Sequence, residues 1–177
     1  MKKLVFVGII TIIILVSLAT GCTEEDEKDE EEEEEEELPD LGSAPGFTLT
    51  SIDKVEFSLS DFEGKVVILD FMATWCGPCK SEMIHLKDVY YNYSESEVQI
   101  ISIDTDESES DMTLYNFSID WGEDWIYAID RTGDVEQDYS ISNIPKLVLI
   151  DKQGNIRYEK VGITTYEDLS SMIDQLL

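Results

Sequence analysis

Apolar residues fall into two alternating rhythms from Phe47 onward. The stretch FTLTSIDKVEFSLS (Phe47 to Ser60) alternates apolar and polar positions around a turn at Ile52-Asp53-Lys54, which predicts a β-hairpin. KVVILDF (Lys65 to Phe71) is a continuous apolar, β-branched run and predicts a buried central strand, and VQIISID (Val98 to Asp104) predicts a second. Between them Met83, Leu86, Val89, Tyr90 and Tyr93 recur at helical spacing, so a helix is predicted from Pro78 to about Asn92, with Pro78 in its first turn. Ser110 to Ile119 predicts another helix, Ile126 to Asp130 a short strand, and Asp134 to Ile141 one or two helical turns. KLVLID and NIRYEKVG predict two strands joined by a turn at Lys152 to Asn155. Thr164 to Leu177 predicts a closing amphipathic helix, with Thr164 and Glu167 at capping-box spacing.

Strand–helix–strand units with short links pair in parallel and cross over right-handed, whereas two strands joined by a tight turn are antiparallel. The expected architecture is therefore α/β, with a mixed central sheet, helices on both faces and an N-terminal hairpin. The segment from residue 41 to 177 is one domain in size, and no internal repeat is visible.

Residues before that domain change the picture. Lys2 and Lys3 precede Leu4 to Thr20, which carry no charge, and small residues lead to Cys22. A basic start, an apolar stretch and small residues before a cut site read as an export signal. The apolar run is slightly short for a membrane span, which needs roughly 17–25 residues. Cys22 resembles the lipidated cysteine of a bacterial lipobox, although Ala19 stands where that motif usually has Leu, and Leu18 lies one place earlier. Residues 1–22 are thus expected to be a signal peptide with a lipidation site at Cys22, or an N-terminal membrane anchor. Either reading tethers the domain on the extracytoplasmic side, periplasmic or at the cell surface.

Residues 23–40 follow as an acidic linker. Every residue from Glu24 to Glu37 except Lys28 is acidic, 13 of the chain's 40 Asp and Glu. Such a block repels itself, buries no core and is expected to be a disordered spacer. Leu38 to Leu177 still carry 27 acids against 9 Lys and Arg, a net of −18. That balance argues against a nucleic-acid partner.

The candidate chemistry is the pair in ATWCGPCK, Cys76 and Cys79. A lone CxxC accepts several readings. A structural zinc site needs four ligands, usually a second CxxC or a His pair, and the chain offers one other cysteine and one histidine, His85. A structural disulfide across so short a loop removes little entropy from the unfolded chain. At the junction of a buried strand and a helix start, exchange chemistry fits better. The helix N-terminus favours the thiolate of Cys76, while Cys79 lies one turn inside, more buried and slower to react. Gly77 is expected to let the backbone turn and Pro78 to preset the first helical turn.

DFMATWCGPCK resembles the thioredoxin active-site segment, with Trp-Cys-Gly-Pro-Cys-Lys intact. SAPGFTL, SLSDFEGKVVILDF, ATWCGPCKSEM, IPKLVLIDKQGNI and Gly162 are similar in order and spacing to the TlpA/ResA branch of membrane-anchored thiol–disulfide oxidoreductases. The likeness spans about Ala44 to Leu177. It implies a thioredoxin-like fold and an enzyme whose only redox group is the Cys76–Cys79 disulfide, with no cofactor or metal. It implies Cys76 as attacking and Cys79 as resolving cysteine. Trp75 matches the indole beside the disulfide, and Gly77 and Pro78 complete the substrate-facing motif. Pro145 after Ile144 matches the cis-proline whose backbone edge a substrate chain pairs with. Asp70, six residues before Cys76, matches the buried acid that takes the proton from Cys79. The partners implied are protein disulfides, a membrane thiol electron donor and the membrane itself through the anchor, with a monomeric domain. Reduction of exported proteins is the expected activity, apocytochrome c among the candidate substrates.

Departures from the pattern are expected to matter locally. Met72 replaces an aromatic residue, and Ile84 stands where a helix-kinking proline is common. Ile100 takes the place of thioredoxin's partner lysine, leaving Asp70 without that charge. Asn143 and Lys146, beside the proline, are expected to alter substrate choice. His85 reads as a helix-surface residue, and Trp121 and Trp125 as rim or core packing. Two rivals stay open. One is a peroxidase of the wider redoxin superfamily, which wants a Thr three residues before the cysteine and a supporting Arg; here Thr74 is two before Cys76, and the arginines are Arg131 and Arg157. The other is an anchored thioredoxin-fold chaperone that binds without turnover.

Overall fold

The computed structural model describes residues 37–177. The expected signal or anchor (1–22), Cys22 and the acidic block through Glu36 lie outside the described residues. Among the described residues, no helix is long and apolar enough to cross a membrane.

Strands β1 (Thr48–Thr50) and β2 (Glu56–Ser58) form the expected hairpin, followed by a short 3-10 turn at Leu59–Phe62. Next come β3 (Val66–Met72), α1 (Gly77–Asn92), β4 (Val98–Asp104), α2 (Asp111–Trp121), β5 (Ile126–Ile129), α3 (Asp134–Asp138), β6 (Lys146–Ile150), β7 (Ile156–Val161) and α4 (Tyr166–Leu176). The sheet has the order β5-β4-β3-β6-β7. β3, β4 and β5 are parallel, and β6 and β7 each pair antiparallel to their neighbour. β3 is central, and all seven of its residues are buried, as a strand covered on both faces requires.

Alternation along β3 sends its side chains into two separate layers. Val66, Ile68 and Met72 pack with Met83, Leu86 and Val89 of α1, Leu114 and Phe117 of α2, and Leu169 and Ile173 of α4. Val67, Leu69 and Phe71 pack with Ile101, Ile103, Val148 and Ile150 against Phe57 of the hairpin and Val135 and Tyr139. Three helices therefore line one face, while the hairpin and the five-residue α3 close the other. The hairpin also bridges β5, with Ser51 opposite Ala128 and the Ile52 N–H donating to the Tyr127 carbonyl at 2.9 Å. It covers a sheet edge that would otherwise present unpaired backbone groups.

Two local expectations need correction. Gly77 is the first residue of α1 and is absent from the left-handed region occupied by Gly42, Gly64, Gly133, Gly154 and Gly162. No turn requires it, and a Cβ there would meet nothing within 4 Å. α4 is capped one residue later than expected: Thr165, not Thr164, accepts at its side chain from the Asp168 N–H at 3.2 Å. Thr164 is withdrawn from the helix end because it is buried and its N–H donates to Glu82 Oε2 at 2.9 Å.

Candidate active site

The site begins where β3 hands over to α1. Cys76 is the N-cap of α1, and its Sγ accepts from the Cys79 N–H at 3.1 Å, a sulfur in the place usually taken by a Ser, Thr, Asp or Asn oxygen. The two cysteines form a disulfide, S–S 2.09 Å and Cα–Cα 5.3 Å. Cys76 keeps 4% of its surface exposed and Cys79 none, which gives the pair an outer and an inner sulfur. Amide groups at the start of a helix and its positive dipole end both stabilise a thiolate formed at the N-cap.

The loop that carries Cys76 is held from the side by acids after β4. Glu109 accepts at both carboxylate oxygens from Thr74, from its N–H at 3.1 Å and its hydroxyl at 2.5 Å. The Trp75 indole N–H donates to Asp106 Oδ2 at 2.9 Å, and the ring stays 66% exposed. Hydrogen bonds from Ser108 and Trp75 hold the Asp106 carboxyl below the usual carboxylate range. Trp75 shares a shallow hollow with Ile141, Ser142, Asn143 and Ile144, and the Ile144–Pro145 peptide bond is cis. The Pro145 carbonyl accepts from the Gly162 N–H at 2.8 Å, tying this loop to the end of β7. Gly77 and Pro78 are exposed beside it.

Two carboxyl groups lie buried beneath the disulfide layer. Asp70 is fully buried on β3 between Ile68 and Met72, which share a cluster with Cys76 and Cys79. Its Oδ2 accepts the Ser102 hydroxyl at 2.8 Å, and its Oδ1 has no partner. Loss of hydration pushes Asp70 up to about 7, partly offset by the Ser102 hydrogen bond. Glu82, one turn past Cys79, is also buried. Its Oε2 accepts the Thr164 N–H, and burial, with the neighbouring Asp70, lifts it to about 7 against the pull of that amide and of Lys160. A carboxyl poised near neutrality can accept a thiol proton and give it back.

The residue opposite Asp70 differs from expectation. Ile100 pairs with Ile68, and Ser102 pairs with Asp70. A neutral hydroxyl therefore stands at the carboxylate. Lys146 is also more buried than a substrate-choosing residue would be: its ammonium donates to the Tyr139 carbonyl at 3.0 Å and pairs with Glu159 at 2.9 Å. Asn143 does line the hollow beside Trp75. His85 Nδ1 accepts the Tyr166 N–H at 3.3 Å, so it helps close the start of α4. Trp125 is buried and Trp121 is 41% exposed.

Cys76, Cys79, Trp75, Gly77 and Pro78 thus come together on one end of the sheet, with Asp70 beneath and Ile144–Pro145 alongside. Glu82, Ser102, Asp106 and Glu109 were not anticipated. Glu82 precedes the inward Met83, and its charge reads as helix surface. The signal that could have found it is an acid within one turn of the inner cysteine, on the face the helix buries.

Residues 40–176 match the Redoxin family profile. The chain is 35% identical over 133 residues to the thiol–disulfide oxidoreductase ResA of Bacillus thuringiensis subsp. konkukian, covering 75% of this chain and 76% of that one. Against ResA of Geobacillus kaustophilus identity is 32% over 134 residues, covering 76% of each. Among solved structures, a thioredoxin-like protein from Aeropyrum pernix superposes with a TM-score of 0.64 at 28% identity, over 73% of this chain and 88% of that one.

Proposed function

The chain belongs to the redoxin family, among the ResA-type thiol–disulfide oxidoreductases, and from that premise we propose that it reduces disulfides of exported proteins on the outer side of a cytoplasmic membrane. The observation that carries the reading is the unequal pair at the start of α1. Cys76 is the N-cap with a window to solvent, and Cys79 is closed off in the layer whose Ile68 and Met72 flank Asp70, a buried acid near neutrality.

In the reduced enzyme the Cys76 thiolate attacks one sulfur of a substrate disulfide. That S–S bond breaks, a mixed disulfide forms, and the first substrate thiol leaves after taking a proton from solvent. Asp70 then takes the proton of Cys79 as its sulfur attacks Cys76. The Cys76–Cys79 bond forms and the second substrate thiol departs. Two electrons have passed to the substrate, and an external dithiol, a membrane thiol carrier in this reading, restores the pair. The departing substrate thiolate takes a proton from solvent, and Glu82 is a second buried acid near neutrality whose charge acts on that of Asp70. Trp75 and the Ile144–Pro145 segment flank the outer sulfur where a substrate chain would lie. The Gly-Pro between the cysteines resembles reducing members, with potentials roughly near −270 mV rather than −120 mV.

The uncharged segment before Cys22 and the acidic stretch after it support an anchored, extracytoplasmic placement. Apocytochrome c before haem attachment is one substrate consistent with that placement. A peroxidase has less support. Arg131 is engaged by Asp111 and by the Glu107 and Glu109 carbonyls, and Arg157 by Asp151 and the Leu38 and Pro39 carbonyls.

The test is trapping. Cys79→Ala should accumulate mixed disulfides with exported proteins, and Cys76→Ala should accumulate none. Equilibration of the pair against dithiothreitol should give a reducing potential. A strongly oxidising value, or binding that persists in the Cys76→Ala/Cys79→Ala double variant without turnover by the parent, would overturn the reductase reading.

A further inference from the structure

We propose that Ser102 and Trp125 are positioning residues for the exchange reaction: a hydrogen-bonded chain from Trp125 through Ser102 to Asp70 fixes which carboxylate oxygen is left to receive the proton of Cys79. The inference rests on the reading of Asp70 as the base.

The geometry leaves one polarity. The Trp125 indole N–H can only donate, and it donates to Ser102 Oγ at 3.0 Å. The Ser102 hydroxyl has a single proton, which goes to Asp70 Oδ2 at 2.8 Å. Oδ2 is thereby occupied as an acceptor, and Oδ1, the oxygen without a partner, is the one left open to a proton arriving on Asp70. The indole cannot turn away, because Trp125 is 93% enclosed, stacks on Tyr127 at 5.5 Å between ring centres and meets Tyr90 at 5.7 Å.

Every element around Asp70 fits this arrangement. α1 contributes Cys76, Cys79 and Glu82; Glu82 has its own anchor in the Thr164 N–H and so does not compete for Ser102. β5 contributes Tyr127, whose hydroxyl burial drives far from ionisation. β6 places Leu147 opposite, and Lys160 of β7 acts on Glu82. Ser102 is thus the hydrogen-bond donor to the carboxylate, and it holds Asp70 closer to its ordinary range than burial alone would. An indole N–H polarising that hydroxyl strengthens it as a donor.

The experiment follows single-turnover reduction of a disulfide-linked peptide by the reduced full-length chain, reading release of the second thiol from pH 5 to 10. The indole N–H signals of the three tryptophans are followed by 1H–15N NMR over the same range. Ser102→Ala should move the rate midpoint up by about one pH unit and lower the rate at neutral pH roughly tenfold. Ser102→Thr should restore both, and Trp125→Phe, which keeps an aromatic stack, should move the midpoint the same way by less. The Trp125 signal should titrate with the rate midpoint in the parent and lose that titration in Ser102→Ala and Asp70→Asn, while Trp75 and Trp121 stay in place. A merely structural Ser102 would lower Tm and leave both midpoints alone, and that result overturns the proposal. Should Ser102→Ala not fold, an unmoved midpoint in Trp125→Phe overturns it equally. If Asp70→Asn itself leaves rate and profile unchanged, the base reading falls and this inference with it. A slowed Asp70→Asn beside an unchanged Ser102→Ala sinks the inference alone.

Discussion

The two faces of β3 are built from one sequence stretch and do different work. Towards the hairpin, Val67, Leu69 and Phe71 enter an apolar layer, and the buried Lys146 opposite Phe71 has its ammonium paired with Glu159 and the Tyr139 carbonyl. Towards α1, Ile68 and Met72 flank Asp70, and the same layer holds Ser102, Glu82 and the cysteine pair. Buried carboxyl groups oppose folding unless they are neutral or well bonded. The apolar face therefore supplies stability that the chemical face partly gives up. Paired substitutions make the division sharpest. Phe71→Ala, in contact with Tyr139 across a 5.3 Å ring separation, should lose about 3–5 kcal/mol by denaturant titration, with kcat at permissive temperature nearly unchanged. Cys76→Ala should erase turnover with a much smaller loss of stability. An inactive but stable Phe71→Ala would break the comparison.

Asp70→Asn tests the trade within the chemical face. The folded carboxyl is raised from 3.8 to about 7, so the native state binds the extra proton between those values. Stability attributable to this group is greatest below about pH 4 and falls as pH rises towards 7, then stays level. Asparagine removes that penalty. The variant should gain on the order of 3 kcal/mol relative to the parent at pH 8 and little at pH 4. Resolution of the mixed disulfide should meanwhile slow about a hundredfold or more, the range lost with a general base. Denaturant curves at the two pH values decide the first part, and thiol-release kinetics the second.

Next in size is Gly122→Ala. A Cβ at Gly122 would fall 1.7 Å from the Tyr127 hydroxyl oxygen and 3.2 Å from the Ser118 carbonyl. Tyr127 cannot yield freely, because its ring is stacked on Trp125. A cost of about 1–3 kcal/mol is expected from overpacking, read as a fall in Tm. Gly77→Ala, with open space around it, should shift Tm far less although it sits between the two cysteines.

Much of this arrangement was legible from residues 41–177. The continuous runs at Lys65 and Val98 identified the central strands, because a strand covered on both faces leaves no polar alternation. The turn residues at Lys152 to Asn155 made the last strands antiparallel. Cys76 and Cys79 declared themselves by spacing, and the cis Ile144–Pro145 bond follows the resemblance. What stayed hidden depends on register and on distant backbone. Ile100 and Ser102 lie two apart and share a face, so alternation along β4 cannot say which one meets Asp70. Parallel pairing settles it for Ser102. Glu82 is buried because the Thr164 N–H, 82 residues away, arrives to satisfy it. Thr164 could not cap α4 for the same reason. Asp106 and Glu109 lie among several acids after β4, and nothing in their spacing shows that Trp75 and Thr74 donate to them.

The smallest expected effect concerns that loop. Asp106→Asn puts an amide where the Trp75 N–H now finds a carboxylate oxygen at 2.9 Å, and the Ser108 bonds compete for the one oxygen left. Trp75 is largely exposed, so little packing depends on the contact, and stability should move by less than about 0.5 kcal/mol. What changes is the freedom of the indole beside Cys76. The Michaelis constant for a protein disulfide should rise about threefold, the scale of one ordinary hydrogen bond, with kcat nearly constant. Asp106 stays ionised below the usual carboxylate range, so this effect should be flat from pH 5 to 9, whereas the Asp70 effect is steep there. Trp75→Phe in the same assay should show a similar rise, and adding Asp106→Asn to it should change nothing further. If the two effects add instead, the carboxylate contacts substrate on its own account, and the loop is part of the binding surface rather than a brace for the indole.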